Sequence, residues 1–356
     1  MNQTQRPAEF FLGTTTPTGF KGYFDTLWQE SGRRMYLIKS GPGCGTSTLM
    51  RQLAAKTDGE VELIHCSSDP DSLDGVILRD KNAAVVDATA PHTLEPAAPG
   101  ARERVISLYH TLDNDRLQAH QTEIDALFAQ NRQLRCRAAR YIASAGGLLL
   151  DSRRAAACST DFEKVRAYTK RLAARLLPPT GEAGCEQQRF LSGITPKGPL
   201  FYANTVTALA SRQIVAFQDE YGAAARLIME LLRDEAVQRG YRVIVCHCAM
   251  HPEDKIDHLL IPALELAFVT SNSWHPARFP GQKNVRCSRF TDMAHLANFR
   301  SRLRFNRKAA AELIGQAVQL MAQAKACHDE LENYYRPAVD FAAVSKAGAQ
   351  LAEELR

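Results

Sequence analysis

The chain has 356 residues, 45% of them hydrophobic and 23% charged, which suits a globular protein with a sizeable core and room for about two domains. No run approaches the ~18 consecutive apolar residues of a membrane span, and the polar opening MNQTQRPAEF does not read as a signal peptide, so no membrane partner and a cytoplasmic location are expected. Nine cysteines, an odd number in a chain this long, argue for a reducing compartment over a disulfide scaffold, and the net charge of +5 is modest.

In chain order, Phe10 to Thr16 is a short lead-in that ends at a turn marked by Pro17 and Gly19, and Gly22 to Gln29 is an amphipathic stretch. The apolar run Met35 to Lys39 predicts a fully buried strand. Ser47 to Lys56 predicts a helix with Leu49, Met50, Leu53 and Ala54 on one face. Val61 to Cys66 and Ala83 to Asp87 predict two more strands, and this order suggests an α/β fold with a parallel sheet and helices on both faces. From about Arg102 to Leu177, and again from Phe290 to Arg356, the pattern is mostly helical, as antiparallel arms beside each sheet would be.

The whole chain is a repeat. FFLGTTTPTG (Phe10 to Gly19) returns as RFLSGITPKG (Arg189 to Gly198), 179 residues on. RRMYLIKSGPGCGTSTLMRQLA aligns without gaps on SRQIVAFQDEYGAAARLIMELL, and ELIHCSSDP matches VIVCHCAMHP around His65/His247, Cys66/Cys248 and Pro70/Pro252. The expected division is a first unit at 1–178 with a helical arm from about 101, a linker at 179–188, and a second unit at 189–356 with an arm from about 286.

YLIKSGPGCGTSTLMRQL (Tyr36 to Leu53) reads as strand, glycine-rich turn and helix, the frame of a phosphate-binding loop. A Walker A loop is G-x-x-x-x-G-K-[ST], whose backbone N–H groups wrap phosphates while the lysine reaches the terminal ones. With Gly45 on the second motif glycine, Ser40 falls on the first and Thr46 on the lysine; Gly41, Pro42, Gly43, Cys44, Ser47 and Thr48 complete the candidate site. Asp87 ends a strand about forty residues later, where a Walker B carboxylate would hold Mg²⁺ together with the Ser47 hydroxyl; a carboxylate that only caps a turn is the alternative.

The T-P-x-G lead-in, the glycine loop, HCSSDPDSLDGV and VVDATAPHTLEPAAPG together resemble an uncharacterised bacterial family of tandem P-loop ATPase-like proteins of about this length. That resemblance implies two tandem P-loop NTPase-like parallel-sheet domains, each with a helical C-terminal extension, and binding of ATP or another nucleoside phosphate with Mg²⁺. Thr46 and Ser40 depart from the family pattern, which puts hydrolysis in question.

Gln218 to Ala225 occupy the equivalent loop of the second copy, with one glycine, no lysine and two acids, Asp219 and Glu220, expected to repel phosphate; Thr270 stands for Asp87. The second copy is therefore expected to be structural. Lys39, Lys21, Arg51 and Lys197 are the candidates to replace the missing lysine. Cys44, at a helix N-terminus, is a candidate for a depressed thiol pKa.

His65, Cys66, Cys246, His247, Cys248 and His251 allow three readings: zinc ligands, the rim of a ligand crevice at a sheet's carboxyl edge, or plain packing. His92 and its counterpart His275 follow the third strand and either orient a water or substrate or are polar loop residues. Basic side chains outnumber acidic ones 14 to 8 in residues 101–180 and 11 to 8 in 286–356, which offers a protein or anionic partner a surface or is a solvated helix face. Nucleic acid is not expected, since aromatics are not interleaved there. Three functions stay open: a nucleotide-binding protein with weak or absent hydrolysis, a pseudo-NTPase scaffold, and an active NTPase or phosphotransferase with a non-standard cation.

Overall fold

A computed structural model describes residues 7–30, 32–90 and 92–355. The first copy supplies strands β1 (Ala8–Phe10), β2 (Gly13–Thr16), β3 (Gly19–Gly22) and β4 (Arg34–Lys39), helix α1 (Thr46–Ala55), and strands β5 (Val61–Cys66), β6 (Asp69–Leu78), β7 (Ala83–Asp87) and β8 (Glu103–Ser107). Helices α2 (Asn114–Gln118), α3 (Gln121–Ala157) and α4 (Phe162–Leu176) follow. The second copy repeats the series with β9 (Cys185–Arg189), β10 (Ser192–Thr195), β11 (Gly198–Phe201), α5 (Ala203–Leu209), β12 (Gln213–Gln218), α6 (Ala223–Gln238), β13 (Arg242–His247), β14 (Ile256–Ile261), β15 (Leu266–Ser271) and β16 (Lys283–Arg286). Helices α7 (Met293–Ala297), α8 (Arg300–Tyr335) and α9 (Phe341–Glu354) complete it.

Each copy forms a six-stranded sheet, in the orders β1-β5-β6-β7-β4-β8 and β9-β13-β14-β15-β12-β16. The sheets are mixed, not parallel as the sequence suggested. β4 runs parallel to β7 and β8, but β6 is antiparallel to both β5 and β7, and β14 to both β13 and β15. Only Ser67 and Ser68 join β5 to β6, and a parallel return needs a crossover of a dozen or more residues. Strand β6 was missed because Asp74 and Gly75 interrupt its apolar run.

Alternate side chains of the central strands serve different cores, as pleating requires. Met35 and Leu37 of β4, with Ile214 and Ala216 of β12, join a core shared by both copies, whereas Tyr36 and Ile38 face outward under α1. At the centre, Phe11 and Phe190 bond reciprocally, N–H to carbonyl at 2.9 and 2.8 Å. These two residues are repeat counterparts, so an approximate two-fold axis passes between them.

The arms do not stay beside their own sheets. α3 and α8 pack antiparallel on each other through Leu134, Ala138 and Ile142 of one and Ala310, Ile314 and Ala317 of the other. Asn131 Nδ2 donates to the Ala324 carbonyl (2.6 Å) near one end, and Arg302 Nε to Asp151 (2.7 Å) near the other. Each terminal helix then crosses over: Val165 and Leu172 of α4 bury against Val215 and Phe217 of the second sheet, and Val344 and Leu351 of α9 against Tyr36 and Ile38 of the first. Among the described residues, no helix is long and apolar enough to cross a membrane.

Candidate functional site

The first loop joins β4 to α1 through two left-handed glycines, Gly43 (φ 65°) and Gly45 (φ 81°), the latter the N-cap of α1. Only glycine takes these torsions without strain. The amides of Thr46, Ser47 and Thr48 form the first helical turn and have no acceptor within the helix. Among the described residues no side-chain oxygen accepts from them. Thr46, at the lysine position, is the first residue of α1. The Ser47 hydroxyl accepts the Leu73 N–H (2.9 Å), fastening the loop to β6.

Asp87 ends β7 directly beside β4, paired with Ile38, and its Oδ1 accepts the Thr89 amide (2.9 Å) and hydroxyl (2.6 Å). Behind it, burial and the charge of Asp87 push the Asp74 carboxyl up to about 7, and His92 Nε2 lies 3.3 Å from Asp74 Oδ2. Burial lowers the His92 pKa and raises that of Cys66. Cys44 is buried and its thiol is raised, first by burial and then by Asp87 and Glu332 despite an amide hydrogen bond from Gly41, so the depressed pKa expected from the helix terminus is not found.

The four cations proposed from sequence are engaged elsewhere. Lys39 pairs with Glu95 (2.6 Å), Lys21 with Glu253 (2.8 Å) and Lys197 with Asp71 (2.6 Å), while Arg51 donates to the Asp71 carbonyl. The loop is instead roofed by the end of α8. A Cβ on Gly41 would sit 2.9 Å from the Tyr335 ring, and one on Gly43 would sit 3.1 Å from Arg336 Cγ and 3.2 Å from Glu332 Cγ. Arg336, held by Glu332 at 3.3 Å, brings its side-chain stem over Gly43. Sequence reading missed it because it arrives from the other copy.

The second loop makes a similar turn, with Gly222 (φ 72°) as N-cap of α6, but its donors are taken. Asp219 Oδ1 accepts the amides of Tyr221 (3.3 Å) and Gly222 (2.9 Å), and Oδ2 those of Ala224 and Ala225 (both 2.9 Å). A carboxylate thus sits where a helix N-terminus attracts an anion. Glu220 turns away to the Ser273 amide (3.0 Å) and hydroxyl. Thr270 occupies the register of Asp87 and meets His275 Nε2 at 2.9 Å.

Asp257 and His275 are the counterparts of Asp74 and His92, and here Lys255 joins them, its Nζ 2.5 Å from Asp257 and 3.8 Å from Cys248 Sγ. Burial alone would pull the Lys255 ammonium down, but Asp257 carries it above the ordinary lysine value. Burial holds His251 at about 4 and His258 at about 3, so both are neutral. A cavity of about 120 Å³ opens at this carboxyl edge, between Arg153 of α3, the β10–β11 hairpin and Trp274.

The remaining candidates separate. His65 bonds the Pro70 carbonyl (2.8 Å) and Glu9 (3.1 Å), and His247 the Pro252 carbonyl (2.9 Å) and Gln188. Cys246 points into the shared core. Among the described residues, no three His, Cys, Asp or Glu side chains converge to hold a metal ion. No family model, curated protein or solved structure matches the chain.

Proposed function

We propose that the chain binds a nucleoside phosphate such as ATP at Gly41 to Thr48, with Mg²⁺ at Ser47 and Asp87, and hydrolyses it weakly or not at all. The observation that carries this reading is the contrast between the two equivalent loops: Asp219 satisfies the second, while among the described residues no side chain accepts from the first-turn amides of α1. Weak turnover follows from Thr46. A lysine ammonium about 4 Å from a phosphate charge is worth about 4 kcal/mol at an effective dielectric near 20, before desolvation. Arg336 replaces it incompletely, because Glu332 shares its charge.

A scaffold reading draws on the same roof: Tyr335 and Glu332 narrow the approach to Gly41 and Gly43. Calorimetric titration of Mg-ATP into the wild type and Thr46→Lys decides between them. Nucleotide binding at the loop requires measurable wild-type affinity that Thr46→Lys tightens by roughly 10-fold or more, a part of the Coulomb value. No heat from either protein, with both folded, would leave the scaffold.

A further inference from the structure

The second copy was expected to be structural, yet two cavities line its edge. A cavity of about 300 Å³ lies beside α8, walled by Arg300, Arg304, Arg307, Tyr221, Met293 and Leu296. The arginines follow each other at helical spacing, so they share one face. Among the described residues none of the three has an ion-pair partner, and no carboxylate is part of this wall. The repeat supplies an internal control, because the equivalent positions of α3 are Gln121, Asp125 and Phe128. The basic face is therefore particular to the second arm.

Tyr221 and Arg307 also line the 120 Å³ cavity, so the two openings adjoin at these side chains. The inner one has Phe201, Met250, Trp274 and Ile314 in its wall, together with Glu220 and the paired Lys255 and Asp257. An apolar cavity of ~150 Å³ accepts benzene, so this space suits a single aromatic ring. Among the described residues, two polar atoms of the side chains in its wall have no hydrogen-bond partner: Nη1 of Arg153, a residue only 8% exposed whose Nη2 is held by Asp254, and Nε2 of His251.

We propose that the second copy binds an aromatic organic phosphate, its phosphoryl oxygens on Arg300, Arg304 and Arg307 and its ring in the inner cavity beside Trp274. Planar guanidinium groups match phosphate oxygens bidentately. Arg153 Nη1 and His251 Nε2 meet the polar edge of the ring system. The site is distinct from the first loop and does not use the amides that Asp219 fills.

Trp274 is one of only two tryptophans, so a Trp28→Phe chain reports on this cavity alone. Phenyl phosphate, titrated while Trp274 emission is followed, should give a saturable change. Phenol and Arg304→Ala should each bind roughly 10-fold more weakly or worse, the loss of a charged hydrogen-bond partner, with Arg304→Lys in between. Arg304 is exposed, so its variants keep the fold, which circular dichroism checks. An unchanged Trp274 signal at millimolar phenyl phosphate, or equal affinity of Arg304→Ala and its parent, would overturn the proposal. Nucleotide at the first loop is read by Thr46→Lys, so the two sites fail independently.

Discussion

Replacing Asp219 by Ala removes the acceptor of four amides at once. Three of those bonds are 2.9 Å long, and two of the donors, on Ala224 and Ala225, belong to buried residues that water reaches poorly. An unsatisfied buried donor costs about 1–3 kcal/mol, and loss of an N-cap side chain about 1 kcal/mol. The terms overlap, so the expected destabilisation is about 2–4 kcal/mol. At roughly 2–4 °C per kcal/mol for a unit of this size, the thermal midpoint falls by roughly 5–15 °C. The freed turn then resembles the first loop. Sulfate or phosphate should raise the midpoint of Asp219→Ala more than that of the wild type, since an ion that binds only the folded state stabilises it. Melting curves in chloride and in sulfate at matched ionic strength read both effects. A variant as stable as its parent, with no added response to sulfate, would refute the view that Asp219 fills an anion site.

Asp74 predicts an inverted pH dependence. Its folded pKa of about 7 lies above the ordinary aspartate value, so the fold favours the protonated form. Its contribution is complete below pH ~4, declines as pH rises toward about 7, and is flat beyond. Asp74→Asn should therefore gain stability over the wild type at pH 8 but not at pH 4, in urea titrations at both values; an equal difference at both would contradict it. Arg189 is fully buried between Glu30 (2.8 Å) and Glu62 (3.0 Å) of the first copy. Arg189→Ala removes the buried cation the two carboxylates share, leaving Glu30 to Arg33 and Glu62 to Arg79, and should cost about 3 kcal/mol, the low end for a broken buried pair. For Glu30, burial works against the charge, but Arg189 and Arg33 hold its pKa below the ordinary value. Its share is thus present above the unfolded pKa and lost as pH falls through the lower folded one. Arg189→Ala should flatten that acid limb, and an undiminished limb would tell against the pairing.

Much of the framework was legible because it rests on local pattern. β5 and β7 fall on Val61–Cys66 and Ala83–Asp87 as read, since short apolar runs bounded by polar residues carry that signal. β6 was not, because Asp74 and Gly75 are buried for reasons the run does not show. The acids of the second loop were read as repelling phosphate; Asp219 instead meets the amides, which only the turn geometry reveals. The cations failed as candidates for a different reason. Lys21 and Lys197 pair with acids of the opposite copy, and Arg336 lies on a loop 293 residues earlier. No spacing rule reports contacts across a two-fold axis.

That axis also explains how two copies of one unit came to differ. Because α4 and α9 exchange sheets, each loop is covered by the arm that begins in the other copy. A change in one arm therefore alters the neighbouring copy's loop while leaving its own strand order intact. Gly43 lies under Arg336 and Glu332; the repeat counterparts of those two residues are Ala157 and Arg153, and Arg153 walls the cavity at the second sheet. The exchange turns one duplicated frame into two unlike environments, a turn under an Arg–Glu roof and a turn filled by Asp219 beside a crevice. Selection on either arm could then change one site without disturbing the shared core between Phe11 and Phe190.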